Sequence, residues 1–264
     1  MTEIAMMSVG DHELSVAEDG TGPAVMLLHG IGGTSAVYRG QAAALAAAGA
    51  RVIRPDFAGA GRSPLGRSRI TVDSHAADAI EILAGLDVDR VLLVGHSMGG
   101  LVARAIAATR PDLVSGLVLL GAVSPPTPPA AQAIRNRAGR IREMGSAVVA
   151  DEILDVSVSA ETRRLRPEIT AFIRQLICGQ DPAGYAANNE ALAEATDPGE
   201  VSTDLPMTLV AGEQDTLSPP ELSVRIAAGH ENRKVVVIPG IGHWIPLEAS
   251  SQVAALLISS LDGT

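Results

Sequence analysis

One cysteine, Cys178, in 264 residues excludes an intrachain disulfide and a cysteine-cluster metal site. Aromatic side chains are nearly as scarce. Tyr38, Phe57, Phe172, Tyr185 and Trp244 make up 2% of the chain, so packing falls to aliphatic residues and any ligand pocket is expected to be poor in stacking surfaces. Basic groups are outnumbered 20 to 30, and a net charge of −10 makes approach to nucleic acid or anionic lipid begin with repulsion. No nucleic-acid or membrane partner is therefore expected, and homo-oligomerisation is left open. The apolar runs are too short to cross a bilayer. The N-terminus has Glu3 and Asp11 where a secretory signal would carry a basic stretch and a long apolar segment, so a cytoplasmic location is expected.

What the chain does have is aliphatic residue, 47% of it apolar, enough for one large core plus a modest insertion. Apolar runs alternate with glycine-rich turns and helical stretches. Ala24 to Leu28 runs into His29-Gly30-Ile31-Gly32-Gly33, and a strand around Val52 to Arg54 ends at Pro55-Asp56. A helix is predicted from Ser74 to Leu86. Val91 to Val94 then leads into Gly95-His96-Ser97-Met98-Gly99-Gly100, with a helix from Leu101 to Ala108 and a buried strand from Leu117 to Leu120. This alternation predicts an α/β class, a parallel sheet with right-handed crossovers.

Between Ser124 and Pro206 the rhythm changes. Pro125, Pro126, Pro128 and Pro129 interrupt regular structure, and short helices are predicted at 134–144, 146–154 and 169–176. The expected organisation is a core of residues 1–123 and 204–264 with an inserted helical cap, 124–203, that governs access and substrate shape. After it, Met207 to Ala211 and Lys234 to Ile238 read as strands around a helix from Pro220 to Ala228. A final helix covers Pro246 to Leu261.

Gly95-His96-Ser97-Met98-Gly99 fits a nucleophile elbow, because the sharp strand-to-helix turn needs small residues on either side of an exposed serine. Serine alone is a weak nucleophile, so a base and an orienting acid are required elsewhere. Asp215 follows one apolar strand and His243 the next, giving the chain order Ser, Asp, His expected of α/β-hydrolases. Asp197 and Asp204 precede their strand rather than follow it, and Glu213 is placed at the strand's end. His96 adjoins the nucleophile, and adjacency is not reach; it is assigned to support of the elbow. Backbone N–H groups of Met98 and Ile31 are the expected oxyanion donors, with Gly30 the alternative to Ile31.

Competing sites are weaker. The glycine turn at 29–33 has neither the Gly-Lys-Ser/Thr ending of a P-loop nor the dinucleotide-binding spacing, and no His-Glu-x-x-His is present. No metal or organic cofactor is expected. The cap arginines, Arg135, Arg137, Arg140, Arg142, Arg163, Arg164, Arg166 and Arg174, read by default as a solvated face, and Cys178 as a small buried side chain.

Taken together, Val94 to Gly100, the His29-Gly30 loop, Asp215 and His243 closely resemble the α/β-hydrolase superfamily over nearly the whole chain. That resemblance implies an eight-stranded, mostly parallel sheet, flanking helices, a helical cap, and ester or lactone hydrolysis through a serine acyl-enzyme. The Pro125 to Pro129 run, the Arg137 to Met144 region and Gly184-Tyr185-Ala186 near Ala191-Leu192 are similar to the 3-oxoadipate enol-lactonase group. The departures are His29-Gly30-Ile31-Gly32, where that group commonly has Asn-Ser-Leu-Gly, and Asp155-Val156-Ser157, where it often has aromatics. Carbon-carbon hydrolysis of a ketone, peracid formation as a side reaction and a non-catalytic small-molecule receptor are the alternative functions of the same frame.

Overall fold

A computed structural model describes residues 2–66 and 69–261. Eight strands form one sheet in the order β1-β2-β4-β3-β5-β6-β7-β8. The ranges are β1 Glu3–Val9, β2 His12–Asp19, β3 Ala24–Leu28, β4 Arg51–Pro55, β5 Val91–His96, β6 Val114–Leu120, β7 Met207–Gly212 and β8 Arg233–Ile238. β1 and β2 make an antiparallel hairpin, β2 pairs antiparallel with β4, and every later pairing is parallel. The eight-stranded, mostly parallel α/β sheet expected from the sequence is what forms.

Strand alternation divides the core. Val25 and Leu27 point to one face, against Leu45 of α1 (Arg39–Ala47) and Val253 and Leu257 of α11 (Ser250–Leu261). Met26 and Leu28 point to the other, against Ala79 and Ile82 of α2 (Val72–Gly85) and Leu101 and Val102 of α3 (Met98–Thr109). β5 is buried along its whole length, which is why it reads as an unbroken apolar run. α2 starts where it does because Thr71 and Ser74 cap each other reciprocally.

Two expectations are corrected, and one element was not anticipated. The hairpin β1-β2 carried no reading from periodicity, because β1 lies at the sheet edge with five of its first six residues exposed, and edge exposure erases the apolar alternation. Pro128 and Pro129 do not break structure. They open α4 (Pro128–Met144), whose first turn has no need of their missing N–H groups. The helix expected from Pro220 to Ala228 forms as α9 (Pro220–Ala227), but the final helix is two, α10 (Ile245–Glu248) and α11, separated at Ala249.

The segment between β6 and β7 also contains a 3-10 turn, Ser146–Val149, then α5 Ala150–Ser157, α6 Ala160–Leu165, α7 Pro167–Cys178 and α8 Pro182–Ala193. Its buried Ile141, Ile173, Ile177 and Tyr185 join the same apolar cluster as the α1 and α11 face. The cap thus packs as an extension of the core. Cys178 ends α7 half-buried rather than fully enclosed. Among the described residues, no helix is long and apolar enough to cross a membrane.

Candidate active site

β5 delivers Ser97 at the carboxyl edge of the sheet, and the chain must reverse there into α3. Ser97 takes φ 53 and ψ −119, a conformation that L-residues rarely adopt, and its N–H donates to the Leu120 carbonyl at 3.0 Å. Space explains the neighbouring glycines. A Cβ on Gly95 would stand 2.3 Å from the Gly99 carbonyl oxygen, and one on Gly99 2.3 Å from that of Leu28. The elbow closes only because both positions lack side chains.

The sequence-predicted partners converge on it. His243 Nε2 lies 2.9 Å from Ser97 Oγ, and His243 Nδ1 lies 2.7 Å from Asp215 Oδ2. Facing a carboxylate, Nδ1 carries the proton, so Nε2 presents its lone pair to the serine hydroxyl. The other carboxylate oxygen, Oδ1, accepts from the N–H groups of Leu217 and Ser218, both at 2.9 Å. Asp215 is 3% exposed, His243 6% and Ser97 9%. Glu213 lies beyond β7 in the turn, where its carboxylate accepts from Gly240 N–H at 2.9 Å.

The expected oxyanion donors sit on either side of the serine. Met98 is the first residue of α3, and an N–H in a helix's first turn has no intrahelical acceptor. Ile31 lies in the turn after β3, and that turn abuts Ser97: a Cβ on Gly30 would come within 2.9 Å of Ser97 Cβ.

Two further residues tie these loops to the cap. Gln180, just before α8, donates from its amide to the carbonyls of Gly32 at 3.2 Å and Gly33 at 3.4 Å, and accepts from Gly61 N–H at 3.3 Å. Glu248, 2% exposed, accepts from Gly242 N–H and Ser159 N–H with one oxygen and from Trp244 N–H with the other, each at 3.1 Å. The His243 N–H itself donates to the Ser157 carbonyl at 2.7 Å. One buried carboxylate therefore bridges the residues on both sides of the histidine and the cap. Neither Gln180 nor Glu248 was found from sequence, nor was Gly121, whose φ of +58 brings it beside His243 and Asp215: a Cβ there would meet His243 Cε1 at 3.2 Å. The one local signal was Gly121 itself, a glycine directly after an apolar strand.

His29 and His96 are buried beside the site. His29 uses both ring nitrogens, donating from Nδ1 to the Gly30 carbonyl at 2.8 Å and accepting Phe57 N–H at Nε2 at 3.0 Å; burial pulls its pKa down. His96 donates from Nε2 to the His243 carbonyl at 2.8 Å, the elbow-supporting place read for it. Burial first, then repulsion from His243, pulls its pKa from 6.5 to about 3. Below pH 6.5 the unfolded chain takes up a proton at this residue that the folded protein refuses, so stability falls as the pH drops toward 3. The expected loss from His96 at pH 4 is on the order of 3 kcal/mol, read by urea unfolding at pH 7 and pH 4. His96→Asn should flatten that dependence; an unchanged slope would refute it.

With this geometry established, the comparisons with known proteins can be set beside it. The alpha/beta hydrolase fold family model matches residues 23–154, from β3 through the elbow into the cap. The chain belongs to the alpha/beta hydrolase fold family. Among solved structures of this fold, a thermophilic esterase from Thermogutta terrifontis is 30% identical with a TM-score of 0.91, covering 98% of both chains. The enol-lactonase from Burkholderia xenovorans LB400 has a TM-score of 0.86 at 24% identity over 98% of this chain and 100% of that one. A putative carbamate hydrolase from Variovorax paradoxus is 42% identical over 106 residues, 40% of each protein. The chain spans 30% of the length of a 43% identical curated relative from Mycobacterium bovis and 40% of the carbamate hydrolase. As an alpha/beta hydrolase, the chain is similar to proteins that cleave several kinds of bond, and membership supports hydrolase chemistry without choosing among them.

Proposed function

We propose that the chain cleaves a carboxylic ester or lactone of a small organic substrate through an acyl-enzyme on Ser97. The observation that carries this reading is the continuous line from Asp215 through His243 to Ser97, with contacts of 2.7 and 2.9 Å. His243 takes the serine proton as Oγ attacks the carbonyl carbon, and Asp215 stabilises the resulting imidazolium. The N–H groups of Met98 and Ile31 receive the oxyanion. Collapse of the tetrahedral intermediate expels the alcohol or enol oxygen, protonated by His243. Water, activated by the same histidine, then attacks the acyl carbon and releases the acid. No metal or organic cofactor enters these steps.

The test is covalent. A fluorophosphonate probe should add one label per chain at Ser97, located by peptide mass, with no labelling of Ser97→Ala under the same conditions. Absence of label on a protein that turns over esters, or labelling at another residue, would sink the proposal. The esterase likeness at 30% identity supports this choice of bond.

A further inference from the structure

The Ile31 N–H shares its peptide plane with the Gly30 carbonyl. In a trans peptide the N–H and the C=O point in opposite directions, and among the described residues no peptide is cis. Whatever fixes the Gly30 carbonyl therefore fixes the direction of the Ile31 N–H. Two donors hold that carbonyl: His29 Nδ1 at 2.8 Å, and the Gly33 N–H at 3.1 Å, which closes the turn. Gly32, at φ +76, supplies the left-handed third residue that a type II turn requires.

The Gly33 N–H lies in turn on the same plane as the Gly32 carbonyl, and that carbonyl accepts from the Gln180 side chain at 3.2 Å. Gln180 sits between α7 and α8 and is 5% exposed. Its amide has one orientation. The Gly61 N–H, 3.3 Å from Oε1, can only donate, so Oε1 faces it and the NH₂ faces the carbonyls of Gly32, Gly33 and Leu176. The cap holds Gln180 by its backbone as well: the Ser146 hydroxyl donates to its carbonyl at 2.9 Å, and its N–H donates to the Ile177 carbonyl at 3.2 Å.

Two peptide planes thus join the cap to the expected oxyanion donor, the first carrying Gly32 C=O and Gly33 N–H, the second Gly30 C=O and Ile31 N–H. Hydrogen bonds in such a chain polarise one another, each strengthening the next by roughly 10–30%. We propose that Gln180 is a positioning residue for the Ile31 N–H, so that the seating of the cap on the 30–33 turn completes the oxyanion hole and regulates turnover at Ser97. A preorganised donor acts where charge develops in the transition state, so this coupling bears on the chemical step more than on substrate binding.

This inference rests on the Ser97 acyl-enzyme reading, and its test separates the two. Gln180→Met keeps the length of the side chain and removes its donors and its acceptor, whereas Gln180→Glu keeps the acceptor for Gly61 and removes the donors alone. On p-nitrophenyl butyrate each should lower kcat by about tenfold or more with KM changed less than about threefold. Inhibition by 1,1,1-trifluoroheptan-2-one, whose adduct with Ser97 carries the oxyanion, should weaken by a similar factor. Ile31→Pro lacks the N–H yet suits the second position of a type II turn, and should cost about 10²-fold in kcat. Adding Gln180→Met to it should lower kcat by less than about twofold further, because the donor that Gln180 aligns is already gone. The Gln180 variants alone decide the matter if Ile31→Pro does not fold. A kcat and a ketone inhibition within about twofold of wild type in both Gln180 variants, a loss confined to Tm or KM, or a full further tenfold loss on top of Ile31→Pro would overturn the positioning role. Turnover of the ester by Ser97→Ala would instead overturn the acyl-enzyme.

Discussion

Ser97→Ala is expected to lose on the order of 10⁴-fold or more in kcat on any ester the wild type turns over, and His243→Ala a comparable amount. The double variant should be no worse than either single one, because a nucleophile without its base and a base without its nucleophile are equally idle. Progress curves for an activated ester such as p-nitrophenyl butyrate, with circular dichroism to verify folding, read the effect. The informative control is His96. Its ring centroid is 5.1 Å from that of His243, close enough to invite substitution as the base. Yet its Nε2 is committed to the His243 carbonyl, and its pKa of about 3 makes it a poor proton acceptor at neutral pH. If His243→Ala kept activity within tenfold of wild type, the base would have to be another group and the mechanism would fall.

The difference between what could and could not be read from the chain is physical. Ser97, Asp215 and His243 each end an apolar strand in a glycine-containing turn, so local pattern marks all three, and the parallel sheet then forces those turns to one edge. The core strands β3, β5, β6 and β7 were legible because burial on both faces leaves them largely aliphatic. Glu248 and Gln180 were not. Each acts through backbone groups of segments distant in sequence, such as Ser159 for Glu248 and Gly32 for Gln180, and a hydrogen bond to backbone leaves no trace in the identity of its partner. Arg137 was visible only as one of eight cap arginines, and the packing of α4 on α8 is what shows its Nε donating to the buried Asn189 side chain. The proline run misled for a related reason, since proline reads as a breaker until its position in the first helical turn is known.

Glu248 carries the second large expectation. Its carboxylate satisfies three buried N–H groups, and charge-assisted bonds of this kind contribute about 1.5–3 kcal/mol each before any repacking. Glu248→Ala strands all three donors and should cost roughly 3–5 kcal/mol of stability. Glu248→Gln is the sharper test of function. The amide keeps the shape, but only its oxygen can accept, so its NH₂ must face a donor, either the Trp244 N–H or the pair from Gly242 and Ser159. Since Gly242 and Trp244 flank His243, the shift reaches the imidazole, whose alignment between two contacts of 2.7 and 2.9 Å tolerates little displacement. The expected outcome is a fall in kcat of about 10²-fold with KM changed far less, because the misplaced base impairs proton transfer in the transition state more than substrate binding. A carboxylate that merely held the fold would lower Tm and leave the kcat of the folded fraction intact. Active-site titration with the fluorophosphonate, which counts competent sites, distinguishes these results: slow labelling of a full complement of sites supports positioning, and normal labelling of fewer sites refutes it.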